Sequence, residues 1–314
     1  MRKISLILGA ALFAGAIACS SGSEAGVNEV LWYNAPATAW LEALPLGNSN
    51  MGAMVFGGVQ KEEIQINEET FWSGGPHNNN SPRSLARLDE VRQLIFDGKE
   101  AEAKTIIDQD FIVGPHGQRF LNAGSLYIEF EGAGEAENYR RQLDLTNAVN
   151  TTTYTSNGVN YTRNAFASMS EKVVVVNMKQ DKKGSFSLSY SGKELPFEVS
   201  ASGNDLIAVV QGDELEGIKP ELAAEIVIRV KTNGKVSAEG DKLNVSDASE
   251  TTLLISAATN FVNYHDVSGD ASAKNAARLA AAEKMSYSKL LKRHIAAYSD
   301  QYDRVSLELP AGAN

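Results

Sequence analysis

The chain has 314 residues, of which 43% are hydrophobic, and carries a formal net charge of −10. No basic cluster interrupts this acidic balance, so nucleic acid is excluded as an expected partner. The four histidines lack the spacing of metal ligands, and neither a metal nor a cofactor is expected.

The first residues have the pattern of an export signal. Arg2 and Lys3 precede an apolar run that is too short for a comfortable membrane span and is typical of a signal peptide. Small residues lead into Cys19, the only cysteine, as in bacterial lipoproteins that are cleaved before a lipidated cysteine. The sequence predicts a lipoprotein signal peptide at residues 1–18 and a flexible tether at residues 19–29. An ordinary secretory signal with an incidental cysteine is the alternative.

Cleavage would leave 314 − 18 = 296 residues, enough for one large domain or two small ones. With Cys19 lipidated, no thiol remains for a disulfide, so the hydrophobic core alone must stabilise the fold. The expected location is the periplasm or outer membrane of a Gram-negative bacterium, where a lipid anchor provides the membrane contact.

Most of the chain after the tether has the pattern of short β-strands. Apolar and polar residues alternate, or nearly so, at residues 127–130, 186–190 and 225–230, as in half-buried strands. Residues 173–176 are all valine, which is typical of a strand covered on both faces. The Asn-Gly pair at residues 157–158 predicts a hairpin. Many short strands without regular intervening helices favour a large antiparallel β-sandwich over a parallel sheet.

Two helical regions interrupt the strands. The first is predicted at Ser84–Phe96, and its pattern allows a continuation to residue 107. Its apolar face is formed by Leu85, Leu88, Val91 and Ile95.

The second helical region comprises residues 271–285 and Tyr287–Tyr302, with Ser286 as a predicted N-cap between them. His294 lies on the apolar face and is interpreted as a hydrogen-bonded packing residue rather than a catalytic one. No later element is available to cover that face, which predicts an apolar surface left for a partner.

A series of longer blocks between residues 40 and 307 is more specific than the strand pattern. The blocks are WLEALPLGN (40–48), MGAMVFGG (51–58), INEETFWSGGP (66–76), YRRQLDL (139–145), YTRNAFAS (161–168), ATNF (258–261) and a closing set of His294, Tyr298 and RVSL (304–307). In this order they resemble the N-terminal β-sandwich region of family 95 glycoside hydrolases, the α-L-fucosidase type. The resemblance covers the chain from Leu31 to Leu309.

The resemblance implies a mainly β fold with a sandwich at residues 30–268 and a helical linker at residues 269–314. In that family the linker leads to an (α/α)6 barrel, which performs the inverting hydrolysis. A carboxylic acid of the barrel protonates the leaving oxygen, and a water held by Asn side chains and a second carboxylate attacks from the opposite face. The sequence ends about where the barrel should start, so the catalytic residues are expected outside this chain.

One block departs from the family. Where an aromatic-Gln-Pro-Leu-Gly-Asp-Leu run is usual, residues 120–126 read FLNAGSL, and Ser125 takes the place of the Asp. If that loop helps to shape a substrate pocket, its chemistry differs here.

The candidate substrate-binding residues are Asn67, Glu68, Glu69, Trp72 and the loop residue His116. Trp72 is suited to stack on a pyranose ring while the carboxylates bind hydroxyl groups at the edge of a pocket that a barrel completes. The plainer alternative is that Trp72 packs at a strand end, the acids are solvated or paired with arginines, and His116 has no role. Inverting hydrolysis needs two carboxyl groups held about 6.5–9.5 Å apart, one of them kept protonated by its surroundings. Glu68 and Glu69 are the candidates for such a pair, but catalysis within this chain is the least favoured interpretation.

Three functional hypotheses follow. The first is the N-terminal portion of an exported enzyme that removes terminal α-L-fucose or α-L-galactose from glycans, with a helical catalytic barrel present in cis or in trans. The second is a stand-alone carbohydrate-binding lipoprotein without hydrolase activity. The third is a structural remnant that binds no ligand.

Overall fold

The computed structural model of the protein describes residues 29–112 and 117–307. Within these residues the strands, in chain order, are β1 (Val30–Tyr33), β2 (Leu44–Gly47), β3 (Met51–Val55), β4 (Lys61–Glu68), β5 (Gly124–Phe130), β6 (Glu137–Asp144), β7 (Val149–Ser156), β8 (Val159–Ser168), β9 (Val173–Ser191), β10 (Phe197–Ser202), β11 (Asp205–Gln211), β12 (Ala223–Thr232), β13 (Lys235–Glu239) and β14 (Lys242–Thr259). The α-helices are α1 (Ser84–Phe96), α2 (Glu100–Ile106), α3 (Ala271–Glu283) and α4 (Tyr287–Tyr302). The predicted signal peptide, Cys19 and His116 lie outside the described residues.

The strands form two antiparallel layers that share their longest members, β9 and β14. One layer has the order β1-β6-β7-β8-β9-β14-β12-β11-β10. The other begins with β2-β3-β4-β5 and continues through β9 and β14 to β13. β9 belongs to both because residues 173–180 pair with β8, while residues 186–191 pair with β5. β14 also runs from one layer into the other, and its pairing with β9 shifts register twice around Ala248. The predicted fold class, a large antiparallel β-sandwich with a helical insertion and C-terminal helices, is confirmed.

The valine run at residues 173–176 packs into two different hydrophobic clusters, one on each face of its layer. Val174 and Val176 join the large cluster between the two layers. Val173 and Val175 join a second cluster, which contains residues of α3 and α4. Because successive side chains of a strand point to opposite faces, an unbroken apolar run is the pattern such a strand requires. The prediction of a strand covered on both faces is confirmed.

The predicted hairpin between β7 and β8 is also present. Asn157 and Gly158 form its turn with φ angles of 51° and 67°. Positive φ at both central residues is what a two-residue turn of this hand demands, and Asn-Gly adopts it with little strain.

α3 and α4 cover the outer face of the β1–β10 layer. Leu279, Ala282 and Leu290 are each at most 1% exposed against that face. α4 begins as predicted, because the Ser286 side chain accepts a hydrogen bond from Lys289 N. The expectation that the apolar face of α4 lacks a cover is wrong, since the face packs against strands that precede it in the sequence.

His294 is part of this packed face. Its ring stacks on Phe166 at a centroid distance of 4.6 Å, and its Nε2 donates to Asn147 O at 3.0 Å. Burial lowers the pKa of His294, although the backbone carbonyls near the ring act in the opposite direction. The interpretation of His294 as a hydrogen-bonded packing residue is confirmed.

α1 and α2 form a helical insertion between β4 and β5 that packs mainly on itself. The predicted bounds of α1 are confirmed, but of its side chains only Val91 is buried. Leu85, Ile95 and Phe96 remain 81%, 50% and 83% exposed, because α1 packs against α2 rather than against the sandwich. None of the helices in the described residues is long and apolar enough to cross a membrane.

Candidate functional site

The segment after β4 is anchored so that Trp72 stands at the surface. Phe71 is fully buried, and its carbonyl accepts a hydrogen bond from Leu121 N at 3.0 Å. Ser73 N donates to Arg119 O at 2.9 Å. The backbone on both sides of Trp72 is therefore fixed to a neighbouring segment, while the Trp72 side chain remains 37% exposed.

Three aromatic side chains, Trp40, Trp72 and Phe120, form what we call the aromatic surface. Trp72 and Phe120 meet edge to face at a centroid distance of 5.2 Å. The indole N–H of Trp72 donates to Glu69 O at 2.9 Å, and that of Trp40 donates to the Gln65 side chain. Because both N–H groups are satisfied, the ring orientations are set and apolar ring surface is presented to solvent.

Polar side chains line a concave region of about 570 Å³ between Trp40 and Phe120. Asn67, on β4, lies opposite Gly52 of β3, where the absence of a side chain leaves room above the amide. Glu69 accepts a hydrogen bond from Asn50 Nδ2 at 2.6 Å. The structure therefore places Asn67 and Glu69 beside Trp40 and Phe120. Trp72 does not line this region, but it meets Phe120 and lines an adjoining cavity together with Glu69.

Glu68 is not part of this surface. It follows Ile66 on the buried face of β4 and is only 3% exposed. Its carboxylate accepts hydrogen bonds from Thr70 N and Thr70 Oγ1, both at 2.7 Å. Burial raises the pKa of Glu68, and the two bonds from Thr70 act in the opposite direction. Glu68 shapes the turn that leads to Trp72 and does not face solvent.

The raised pKa of Glu68 predicts a pH-dependent stability difference. A carboxyl group whose folded-state pKa lies above its unfolded value binds more protons when folded, so its contribution to stability falls as pH rises. We expect Glu68→Gln, which cannot ionise, to gain stability relative to the wild type as pH rises from the ordinary value of 4.5 through the raised pKa. Urea unfolding of both proteins at pH 4 and pH 7 measures this difference. If the stability difference between Glu68→Gln and the wild type were the same at pH 4 and pH 7, the raised pKa of Glu68 would be contradicted.

Glu62 is a second buried acid, and it also lies away from the aromatic surface. Its Oε2 accepts a hydrogen bond from Arg163 Nη1 at 2.8 Å. The side chain of Glu62 is 3% exposed and that of Arg163 is 6% exposed. Burial raises the pKa of Glu62, opposed by the positive charge of Arg163. Glu62 and Glu68 are both enclosed by the protein, so neither is placed to protonate a sugar at the surface.

Ser125, the departure from the family pattern, is also enclosed. It is fully buried on β5, and its hydroxyl donates to Glu63 Oε1 at 2.8 Å. Lys193 Nζ binds the same oxygen at 2.6 Å. The change from Asp to Ser therefore concerns a polar network within the sheet rather than the lining of the concave region. No group of three His, Cys, Asp or Glu side chains within residues 29–112 and 117–307 is arranged to hold a metal ion.

Trp40, Asn50 and Phe120 were not among the predicted site residues. Trp40 and Phe120 lie within or beside the sequence blocks quoted above, so the only available signal was an aromatic residue near each block. Phe120 pairs with Trp72 and lines the concave region with Trp40 and Asn50. These contacts join segments far apart in the chain, which no local pattern contains.

Residues 31–264 match the family model described as "Glycosyl hydrolase family 65, N-terminal domain". The chain is 30% identical over 312 residues to "Alpha-L-fucosidase 2" of Arabidopsis thaliana, a match that covers 89% of this chain and 36% of that protein. It is 26% identical over 301 residues to "Probable alpha-fucosidase A" of Aspergillus oryzae, covering 89% of this chain and 41% of that protein. The solved structure of "Putative kojibiose phosphorylase from human microbiome" aligns with a TM-score of 0.48 at 13% identity, over 82% of this chain and 35% of that one.

These matches confirm the resemblance to the N-terminal region of α-L-fucosidases. The chain spans well under half the length of the fucosidases it matches. The matched residues include the aromatic surface together with Asn67 and Glu69.

Proposed function

The chain belongs to the glycosyl hydrolase family 65 N-terminal domain family, and from this we propose that it is the non-catalytic N-terminal portion of an exported α-L-fucosidase-like enzyme. The enzyme acts on glycans that end in α-L-fucose or α-L-galactose, and a helical barrel in cis or in trans supplies the hydrolysis. The observation that carries the proposal is the similarity to fucosidases along 89% of this chain but only 36–41% of theirs. Export and anchoring through Cys19 belong to the proposal and rest on the sequence pattern alone.

The aromatic surface supports a sugar-contacting role. A pyranose has apolar C–H faces and a rim of hydroxyl groups, which match an aromatic ring bordered by amide and carboxylate groups. Trp40 and Phe120 provide rings beside Asn67 and Glu69, which supply a donor and acceptors. Trp72 meets Phe120 edge to face and shares the adjoining cavity with Glu69. The role proposed for this surface is to hold the glycan while the barrel cleaves it, and the enclosed acids Glu62 and Glu68 do not face the surface.

The hydrolytic part of the proposal is tested with a chromogenic α-L-fucoside. We expect no turnover by the purified chain and turnover when a barrel domain from a related fucosidase is added. Turnover by the chain alone would contradict the absence of catalytic residues. No turnover in either condition would contradict an enzyme portion and leave the second hypothesis, a carbohydrate-binding lipoprotein.

The binding part of the proposal makes a separate prediction. We expect Trp72→Ala to weaken the binding of an α-L-fucosyl oligosaccharide by about tenfold, as the loss of one stacking contact implies. Isothermal calorimetry measures the affinity, and circular dichroism verifies the fold. Phe96→Ala is the matched control, because it removes an aromatic ring that is 83% exposed on α1 and outside the aromatic surface. Equal affinities for the wild type and Trp72→Ala would show that the aromatic surface binds no sugar.

The second candidate function, glycan capture without hydrolysis, is favoured by one feature. The rings and polar groups of the aromatic surface are already held in place by contacts within this chain, such as the hydrogen bond from Asn50 to Glu69. A surface arranged in this way needs no barrel in order to bind. Binding without any rescue of turnover would select this function.

A further inference from the structure

A second cleft begins at Trp72, passes Phe261 and ends at Tyr264. It consists of two cavities of about 360 and 200 Å³, which share Gln118, Leu222 and Phe261 in their linings. We call it the Phe261 cleft. At ~30 Å³ per water molecule, the cavities have the volume of roughly 12 and 7 waters, the scale of one small hydroxylated ring each.

The wall of the cleft around Phe261 is fixed by side-chain hydrogen bonds. Asn260 Nδ2 donates to Glu221 O at 2.9 Å and to Val267 O at 2.8 Å, which joins two loops. Lys274 Nζ, from α3, donates to Phe261 O at 2.7 Å. A ligand that enters this cleft therefore meets a wall that is already ordered, which reduces the entropic cost of binding.

His77 carries a hydrogen-bond acceptor that has no donor. Its Nδ1 lies 2.8 Å from Gly75 O, and because a carbonyl oxygen can only accept, Nδ1 bears the proton and Nε2 is the acceptor. Nε2 is buried, and no donor among residues 29–112 and 117–307 reaches it. A buried polar atom without a partner is costly. A ligand hydroxyl group placed beside His77 Nε2 would therefore be stabilised by donating a hydrogen bond to it.

The rest of the smaller cavity suits a neutral, hydroxylated ring. Tyr264 is 75% exposed, so its ring has surface to offer a ligand. Asn263 Oδ1 accepts a hydrogen bond from His265 N at 3.0 Å, which leaves Nδ2 as the group that can donate to a ligand. No Asp, Glu, Lys or Arg occurs among the described residues that line this cavity, so a charged ligand would find no counter-ion in its lining.

We propose that the Phe261 cleft binds an oligosaccharide through two adjoining sugar rings, one against Trp72 and the next between Phe261 and Tyr264. His77 Nε2 accepts a hydrogen bond from a hydroxyl group of the second ring. The identity of the ligand as a glycan rests on the proposed function, whereas the second ring site rests on the cleft itself. The chain thereby distinguishes an oligosaccharide from a single sugar.

Calorimetry with two probes tests the second ring site. The probes are methyl α-L-fucoside, a single ring, and fucosyllactose, a trisaccharide that ends in α-L-fucose. For the wild type we expect the trisaccharide to bind about tenfold more tightly, the effect of one ring contact and one hydrogen bond. Tyr264→Ala should abolish most of that preference and leave the affinity for the single ring unchanged. Because Tyr264 is exposed, its removal does not threaten the fold.

Two substitutions of His77 separate its two nitrogen atoms. His77→Asn retains a donor near the position of Nδ1 and removes the acceptor at Nε2, whereas His77→Gln retains an amide group near Nε2. We expect His77→Asn to lose the trisaccharide preference and His77→Gln to keep part of it. Phe96→Ala serves again as the control and should behave as the wild type does.

Equal wild-type affinities for the two probes would overturn the second ring site, and so would a trisaccharide preference that survives Tyr264→Ala. Absence of binding of either probe to the wild type would also overturn it. Hydrolysis rescue by an added barrel is measured independently. If an added barrel restores hydrolysis but the trisaccharide is not bound more tightly, the proposed function stands and the second ring site is rejected. If the trisaccharide is bound more tightly but no hydrolysis is restored, the second ring site is supported and the enzyme role is rejected.

Discussion

Arg163→Met is expected to lower the free energy of unfolding by about 3–5 kcal/mol, because it leaves the carboxylate of Glu62 buried without its counter-charge. The guanidinium of Arg163 also donates to Gly58 O at 2.5 Å, and Glu62 Oε1 accepts from Gly57 N at 2.7 Å. The pair therefore connects β8 to β4 and to the turn between β3 and β4. Urea unfolding followed by fluorescence measures the change.

The loss should also depend on pH. Without Arg163 the pKa of Glu62 rises further, and because a raised carboxyl pKa destabilises the folded state as pH increases, the deficit should be larger at pH 8 than at pH 5. Glu62→Gln in the Arg163→Met background should recover part of it. A deficit that is independent of pH, or no recovery, would mean that lost packing rather than an unpaired charge is the cause.

The neighbouring exposed ion pair provides the control. Lys61 Nζ lies 2.9 Å from Glu129 Oε1, and the two side chains are 52% and 47% exposed. Solvent screens this attraction, so Lys61→Met should change the stability by less than about 1 kcal/mol. A loss as large as that of Arg163→Met would show that burial does not account for the difference between the pairs.

Phe166→Ala is expected to lower the free energy of unfolding by about 3–5 kcal/mol, the usual cost of removing a large ring from a filled core. Phe166 is fully buried between the sheet and the C-terminal helices, where it contacts His294 and Tyr287. Chemical denaturation at constant pH measures the loss. Phe96→Ala makes the same chemical change on the exposed side of α1 and should remain within about 0.5 kcal/mol of the wild type.

A small effect of Phe166→Ala would mean that α3 and α4 are not packed against the sheet as the structure has them. A large effect would support the assignment of residues 269–307 to the same cooperative unit as the sandwich. The free energy and the denaturant dependence together decide this, because partial detachment of the helices would reduce the slope of the transition as well as its midpoint.

The burial of Glu68 follows from the alternation of side chains along β4. Ile64 and Ile66 occupy the buried face of β4, and a period of two places Glu62 and Glu68 on the same face. The acidic character of Glu68 favoured an exposed interpretation, whereas strand geometry outweighs residue type where hydrogen bonds from Thr70 compensate for the burial. Asn67 lies on the opposite face of β4, which is only partly buried.

The sequence by itself determined the local structure and the family of this protein. The valine run, the Asn-Gly turn and the bounds of α1 and α4 were predictable because their causes, side-chain periodicity and turn chemistry, act over a few residues. The family was predictable because several blocks recur in a fixed order. Only the tertiary structure decided which faces are covered and which side chains meet. The sheet that covers α4 and the segments that join Trp72 to Phe120 are brought together by contacts between residues far apart in the chain, and those contacts follow from the packing of the two layers as a whole.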